Sequence, residues 1–255
     1  MSSRATAACY HASMRNRYSS ADLHIHTTAS DGTATPADVC AWVAERTDLS
    51  VIAIADHNTV DGALEAAAIA PGFGIEVVVG QEVESADGHV IGLWTPRAVE
   101  PGLSAEETVI RIHAQGGLAV AAHPFAPDWW DRHGLARFDP SALTRTFFDA
   151  VEVANSTPLL CLANLRAQTH WRQNRDTLAR VGGSDAHMLS VIGTSRTLFR
   201  GSTSVDLRTA IENRTTHAWG PAFSLTRTVR YARKIPEIKM RDRATRARRA
   251  TGETG

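Results

Sequence analysis

Between residues 21 and 225, short apolar runs alternate with stretches of helical period. The runs VIAIAD (51–56), IEVVVGQE (75–82), HVIGLW (89–94), LAVAAHP (118–124) and DAVEVAN (149–155) have the length and β-branched content of buried strands. Between them lie helix signals. Thr35-Pro36 followed by Asp38 predicts a helix start with proline at the first helical position, and AWVAERT continues its period. Asp61-Gly62-Ala63-Leu64 opens an alanine-rich helix that stops at Pro71-Gly72, while Ser104 and Glu107 have capping-box spacing ahead of a helix that ends at Gly116-Gly117. Residues 159–179 predict a long amphipathic helix leading back to VGGSDAH, and Asp206 to Asn213 a last short one. Only 75–82 and 89–94 follow each other without a helix, which predicts a hairpin. Elsewhere the alternation predicts parallel strands joined by helices, in a single α/β domain closed as a small barrel or barrel-like sheet. There is no internal repeat. Residues 1–20 lack a period and read as a poorly ordered leader, with Met14 offering an alternative start; 21–225 read as the domain, and 226–255 as a basic C-terminal tail.

Composition agrees with a folded domain. The chain has 255 residues, of which 43% are hydrophobic, enough for a substantial core. No run of about 18 apolar residues is present to cross a bilayer, and the first twenty residues lack a secretory apolar stretch. The expectation is a cytoplasmic protein without a membrane partner. Cys9, Cys40 and Cys161 are far apart and form no CxxC, so they read as reduced structural thiols. The formal charge of zero hides an asymmetry, because residues 226–255 carry ten Lys/Arg against Glu237, Asp242 and Glu253. The remainder is therefore acidic, with 17 basic and 24 acidic residues.

The candidate chemistry sits at the ends of the apolar runs. His24, His26 and Asp31 follow the first, His57 ends the second, Glu82 the third, His89 opens the fourth, His123 ends the fifth, and Asp185 with His187 follows Gly182-Gly183. In a strand, side chains at i and i+2 share a side, so His24 with His26, or Asp185 with His187, can grip one cation together. Clustered His, Asp and Glu at strand ends point to a metal site on one rim of a β/α fold. Imidazole and carboxylate without thiolate suit Mn²⁺, Fe²⁺ or Zn²⁺ better than copper or an iron–sulfur cluster. Nine such residues exceed the needs of one ion, which suggests two or three ions with bridging carboxylates. Asp22 and Asp56 are candidates to orient the imidazoles.

The motifs DLHIHT, ADHNTVDG, GQEVES with GHVIGL, AAHP, VEVANS and GGSDAH resemble, in order and residue type, those of the polymerase and histidinol phosphatase (PHP) family of metal-dependent phosphoesterases, from about Asp22 to Gly193. The resemblance implies a distorted seven-stranded (β/α) barrel holding up to three metals at the C-terminal rim of its strands. It implies a first metal on His24, His26, Glu82 and Asp185, a second on Glu82, His89 and His123, and a third on Asp31, His57 and His187. Asp185, Glu82 and His123 would then be catalytic through the metals.

Asn155 matches a family position beside the site and is a candidate substrate contact. Many family members carry an arginine just after AHP, where this chain has Phe125-Ala126-Pro127. Arg132, Arg137 and Arg196 are the substitutes expected for phosphate binding, and Trp129, Trp130 and His133 are candidates for a pocket wall. The branch acting on nucleoside 3′,5′-bisphosphates carries an inserted domain between the positions of His89 and His123, and here only 34 positions separate them. The favoured reading is hydrolysis of a small organic phosphomonoester by a metal-bridged hydroxide. Two others remain. One is a phosphodiesterase or exonuclease using the basic tail, although the tail lacks interleaved aromatics for base stacking and reads as solvated. The other is a non-catalytic metal-stabilised module.

Overall fold

A computed structural model describes residues 18–127, 138, 140–158, 160–220 and 225–251. Its elements run β1 (Ser19–Ile25), α1 (Pro36–Arg46), β2 (Leu49–Ile54), α2 (Asp61–Ile69), β3 (Glu76–Ser85), β4 (Gly88–Leu93), α3 (Ala105–His113), β5 (Leu118–Ala121) and α4 (Pro140–Arg145). There follow β6 (Ala150–Asn155), α5 (Cys161–Gln173), β7 (Ala179–Gly183), β8 (Arg196–Phe199), α6 (Ser204–Glu212), β9 (His217–Trp219) and α7 (Leu225–Thr251). Helix starts follow local chemistry. Thr35 caps α1 and Thr203 caps α6, each in a reciprocal capping box with Asp38 or Asp206, and Ser104 accepts the Glu107 N–H at the start of α3. Helix α5 is shorter than the expected 159–179, since the Asn174 side chain bonds back to the His170 carbonyl and the chain turns there.

Among the described residues the sheet has nine strands, in the order β7-β6-β5-β4-β3-β2-β1-β8-β9, which corrects the expected seven. Strands β1, β2 and β3 are parallel, β3/β4 is the predicted antiparallel hairpin, β4 and β5 pair antiparallel, and β5, β6 and β7 are parallel. The two additional strands, RTLF and HAW, are too short to show an alternation. They add antiparallel to the free edge of β1 and to each other.

The sheet is nearly closed. The Thr197 hydroxyl bonds both the N–H and the carbonyl of Gly182, each at 2.9 Å, and a parallel bridge joins Ile25, the last residue of β1, to Ala186 just beyond β7. One buried cluster draws Leu23, Val51, Val78, Ile91, Val120, Ala150, Val181 and Phe199 together with Leu207 and Ile211 of α6. Only a barrel interior can collect residues from so many strands, so α6 plugs its base. The outer faces pack on the helices: Ile52 and Ile54 with Val39 and Ala63, and Val151 and Val153 with Val109 and Ala167. The segment read as a solvated tail forms α7, whose Tyr231 and Ile238 are buried in the same cluster as Ile52. No described helix is long and apolar enough to cross a membrane.

Close approach of strands at the seam requires Gly183. A Cβ there would lie 2.5 Å from the His24 Cβ and 2.7 Å from Glu152 Oε1. Gly183→Ala is expected to destabilise the protein by about 1–3 kcal/mol through overpacking, read as a lower urea midpoint with unchanged m-value; a wild-type midpoint would refute the tight seam.

Candidate metal centre

Parallel strands deliver their C-terminal ends to one rim, and that is where the ligand-type residues lie. His24 and His26 come from the end of β1, His57 from just beyond β2, His123 from just beyond β5, and Asp185 and His187 from the loop after β7. Strand β4 runs the other way, so His89 reaches this rim from its start, opposite Glu84 of β3. A register shift between Asp22 and Ile25 changes the face β1 presents: Leu23 belongs to the barrel interior, Ile25 to the outer cluster. That irregularity turns both His24 and His26 inward after an inward Leu23.

All nine residues enter four overlapping groups, each with its ligand atoms within 4.8 Å of one another: His26, Asp31, His57 and His187; His24, His26 and Asp185; His24, Glu82 and His123; His57, Glu82 and His89. Glu82 is the hub. Its Oε1 is 3.0 Å from His89 Nδ1 and from His123 Nε2, while its Oε2 lies 3.3 Å from His24 Nε2, 3.4 Å from His26 Nε2 and 3.3 Å from His57 Nδ1. Asp185 Oδ1 is 3.2 Å from His26 Nε2, and Asp31 Oδ2 3.0 Å from His187 Nε2. His57 is the most exposed of the nine, so the cluster opens to solvent on its side.

For Asp31, Glu82, Asp185, His24, His26, His57, His123 and His187 burial is the largest single influence, and for all but His26 opposite charges outweigh it. Glu82, Asp185 and Asp31 are held below the usual carboxylate range by the surrounding imidazoles. His24 is raised by Glu82, Asp185 and Glu152, His123 is raised to about 9 by Glu82, and His187 to about 10 by Asp31. His26 goes the other way, lowered by burial and by the charges of His187 and His57. Protons on imidazole thus do the neutralising that cations would do. The donor set fits a metal on a second count: the buried Nε2 of His24 and both ring nitrogens of His26 make no hydrogen bond among the described residues.

Glu152, absent from the sequence-based set, holds the ligands in place. Its Oε1 is 3.2 Å from His24 Nδ1, which leaves Nε2 to face Glu82 and Asp185, and its Oε2 accepts the His123 N–H and an N–H of the Asn155 amide, each at 2.9 Å. The signal was a single carboxylate in the otherwise apolar run VEVAN. Asp22 and Asp56 serve differently from expectation, since neither touches an imidazole. Asp22 accepts from Ser184 and Gly193 and ties β1 to the loop after β7, with burial pushing its carboxyl up to about 6. Asp56 accepts from the Thr27 N–H and from the hydroxyls of Thr27 and Ser30, bracing the turn that carries Asp31. His123 (φ 27°), Asp185 (φ 54°) and Asn58 (φ 52°) adopt left-handed backbone. Such residues cost about 1–3 kcal/mol each and persist where neighbours enforce them: Glu152 on the His123 N–H, and the Thr157 hydroxyl on Asp185 Oδ2 at 2.8 Å.

The expected substrate contacts fare unevenly. The Asn155 amide nitrogen is 2.9 Å from Glu152 and 3.4 Å from Asp185, and its oxygen accepts the Thr157 N–H, so the side chain braces the centre. Arg196 is not brought to it: the guanidinium bonds Asp48 and the Gly193 carbonyl and lies over the Trp219 ring, in an open pocket of about 450 Å³ with Arg46 and Thr47, beside the N-terminal end of β2. Arg132 and Arg137, with Trp129, Trp130 and His133, lie outside the described residues.

A family model of the PHP domain matches residues 22–173, and one described as PHP-associated matches 162–216. The chain belongs to the PHP domain family. As a PHP protein it is a metal-dependent phosphoesterase at the level of reaction class. Among curated relatives, the uncharacterized protein MJ1587 of Methanocaldococcus jannaschii is 41% identical over 118 residues, 42% of this chain and 68% of that protein. The 3′,5′-nucleoside bisphosphate phosphatase of Chromobacterium violaceum is 39% identical over 94 residues, 35% of this chain but only 32% of the phosphatase. Among solved structures, a two-domain protein of Bacteroides vulgatus containing a predicted PHP-like metal-dependent phosphoesterase superposes with a TM-score of 0.62 at 18% identity, over 80% of this chain and 65% of its own. The lesion-specific endonuclease PfuEndoQ of Pyrococcus furiosus gives 0.54 at 17% identity, over 77% of this chain and 56% of its own. At these identities both structures speak for the fold alone.

Two outcomes are expected of the PHP centre. Replacing Glu152 by Gln sets an amide N–H against the His123 N–H and should weaken Mn²⁺ affinity about 10-fold or more; equal metal retention by wild type and variant in a chelator titration would rule out its supporting role. Because His24, His123 and His187 carry protons at neutral pH, metal binding must displace them, so apparent affinity should climb as pH rises toward about 9–10. Calorimetry in buffers of different ionisation enthalpy reads this directly, and proton uptake on loading would contradict it.

Proposed function

We propose that this PHP protein hydrolyses a small organic phosphomonoester with two or three divalent ions (Mn²⁺, Fe²⁺ or Zn²⁺) held by the nine clustered residues. The observation that carries the reading is the gathering of all nine in four overlapping groups on one rim, two of which share Glu82. His24, His26, Glu82 and Asp185 would hold a first ion, Glu82, His89 and His123 a second, and Asp31, His57 and His187 a third. Bound there, the ions supply charge neutralisation for an anionic ester and a nucleophile available near neutral pH. The chain's own residues do the positioning. Glu82 draws the imidazoles of His24, His89 and His123 to one point, Glu152 fixes the face His24 presents, and Thr157 with Asn155 aims Asp185. Asp185, Glu82 and His123 act through the ions, and no separate protein base is required.

The small substrate is favoured by the short path between His89 and His123, which holds β4, α3, β5 and their loops and no inserted domain. A second reading, action on nucleic-acid ends, is favoured by the exposed Arg233, Lys239 and Arg243 of α7. Of the three arginines expected to contact phosphate, Arg132 and Arg137 are left, because Arg196 is committed to Asp48.

Assay of the Mn²⁺-loaded protein on p-nitrophenyl phosphate and on bis(p-nitrophenyl) phosphate separates the readings. Turnover of the monoester is expected, and Asp185→Asn should lower kcat on the order of 100-fold or more. Hydrolysis of the diester alone would replace the first reading by the second, and tight metal binding without turnover of either would leave a non-catalytic module.

A further inference from the structure

Arg196, expected beside phosphate, lines a hollow of its own. That pocket of about 450 Å³ has Arg46 at the end of α1, Asp48, Gly193, Thr194, Arg196 and Trp219 in its walls, and none of the nine ligand-type residues. Arg196 and Trp219 are directly opposed on β8 and β9, and the guanidinium carbon stands 5.4 Å from the centre of the indole ring. The Arg196 Nε donates to the Gly193 carbonyl at 2.9 Å. Gly193 is fixed in turn, because its N–H donates to Asp22 Oδ2 at 2.7 Å, while the next residue bonds back through the Thr194 hydroxyl to the Val191 carbonyl at 2.6 Å. The guanidinium is therefore held in one plane before any ligand arrives, which favours forked recognition of an oxyanion.

One carboxylate already marks where an anion sits. Asp48 accepts from Arg196 Nη1, yet its side chain is 80% exposed against 22% for Arg196. An ion pair with one partner in water contributes little, so an oxyanion that also meets Arg46 can take its place. Gly193 and Trp219 keep the guanidinium where it is when the carboxylate is displaced. The other half of the hollow is apolar. Trp219 is 49% exposed on a three-residue edge strand, where half an indole left in water adds little to the core and offers a flat surface to a ring. Two guanidinium groups against one displaceable carboxylate leave an excess of positive charge. A ligand that matches both halves carries a ring and an oxyanion.

We propose that this hollow is a second ligand site, separate from the metal centre, for a small aromatic anion whose oxyanion replaces Asp48 on Arg196 while its ring packs on Trp219. It goes beyond the phosphoesterase reading and does not depend on it. The probe is benzenesulfonate, a poor ligand for Mn²⁺, titrated calorimetrically into the Mn²⁺-loaded full chain, with methanesulfonate as the control that lacks a ring. Saturable binding of benzenesulfonate is expected, with methanesulfonate roughly tenfold weaker for want of the stacking contact. Asp48→Asn should tighten the benzenesulfonate Kd about threefold by removing the competing charge, and Arg196→Gln should weaken it about tenfold, the scale of a hydrogen bond to a charged group. Tm is measured on each variant, because an ion pair used only for stability shifts Tm and leaves the probe indifferent to Asp48→Asn. Absence of saturable binding, equal affinity for the two sulfonates, or a Kd unmoved by Asp48→Asn overturns the proposal. So does binding that disappears when a chelator removes the metal, since that places the probe at the metal centre.

Discussion

The structure depends on one buried carboxylate. Glu82 lies within 3.4 Å of five imidazoles, deep in a rim where water cannot screen its charge. An isolated carboxylate in such a place is strongly disfavoured, so the fold must keep positive charge around it at all times, from protonated histidines or from cations. That requirement explains why imidazoles converge from β1, β4 and the loops after β2 and β5. It also explains why Asp185 and Asp31 stay ionised despite burial: each shares the same pool of positive charge.

Rigidity around that charge comes from a second ring of contacts. Glu152 touches a ligand side chain and a ligand backbone at once, Asp22 stitches β1 to the loop after β7, and Asp56 braces the turn of Asp31. These bonds enforce the left-handed backbone at His123 and Asp185, which would relax if left alone. A cluster built on free loops would lose its spacing; this one is tied to strand ends.

Much of this was legible in the sequence. The ligand-type residues stood out because each ends or opens an apolar run, and strand direction then carries them to one rim without further information. The hairpin of β3 and β4 was legible from the missing helix between two runs, and the start of α1 from Thr35, Pro36 and Asp38. What escaped is what depends on three-dimensional closure. RTLF and HAW are strands only because β1 has a free edge, so the sheet has nine strands where seven were expected. Asp22 reaches Ser184 and Glu152 reaches the His24 ring, 162 and 128 positions away, beyond any local pattern. Helix α7 was hidden by its charges, since ten basic residues masked the sparse apolar stripe of Tyr231, Ile235 and Ile238.

The bridge between Ile25 and Ala186 has a kinetic meaning. It joins segments separated by most of the domain, and contacts of such sequence separation incur the largest loop-closure entropy, which places them late in assembly. His24, His26, Asp185 and His187 flank that bridge on both sides. A nascent or half-folded chain therefore holds scattered histidines and carboxylates but no cation trap, and the power to cleave an ester comes into being only with the last seam. Hydrolytic capacity is in this sense a certificate of completed folding, issued by the same contact that shuts the barrel.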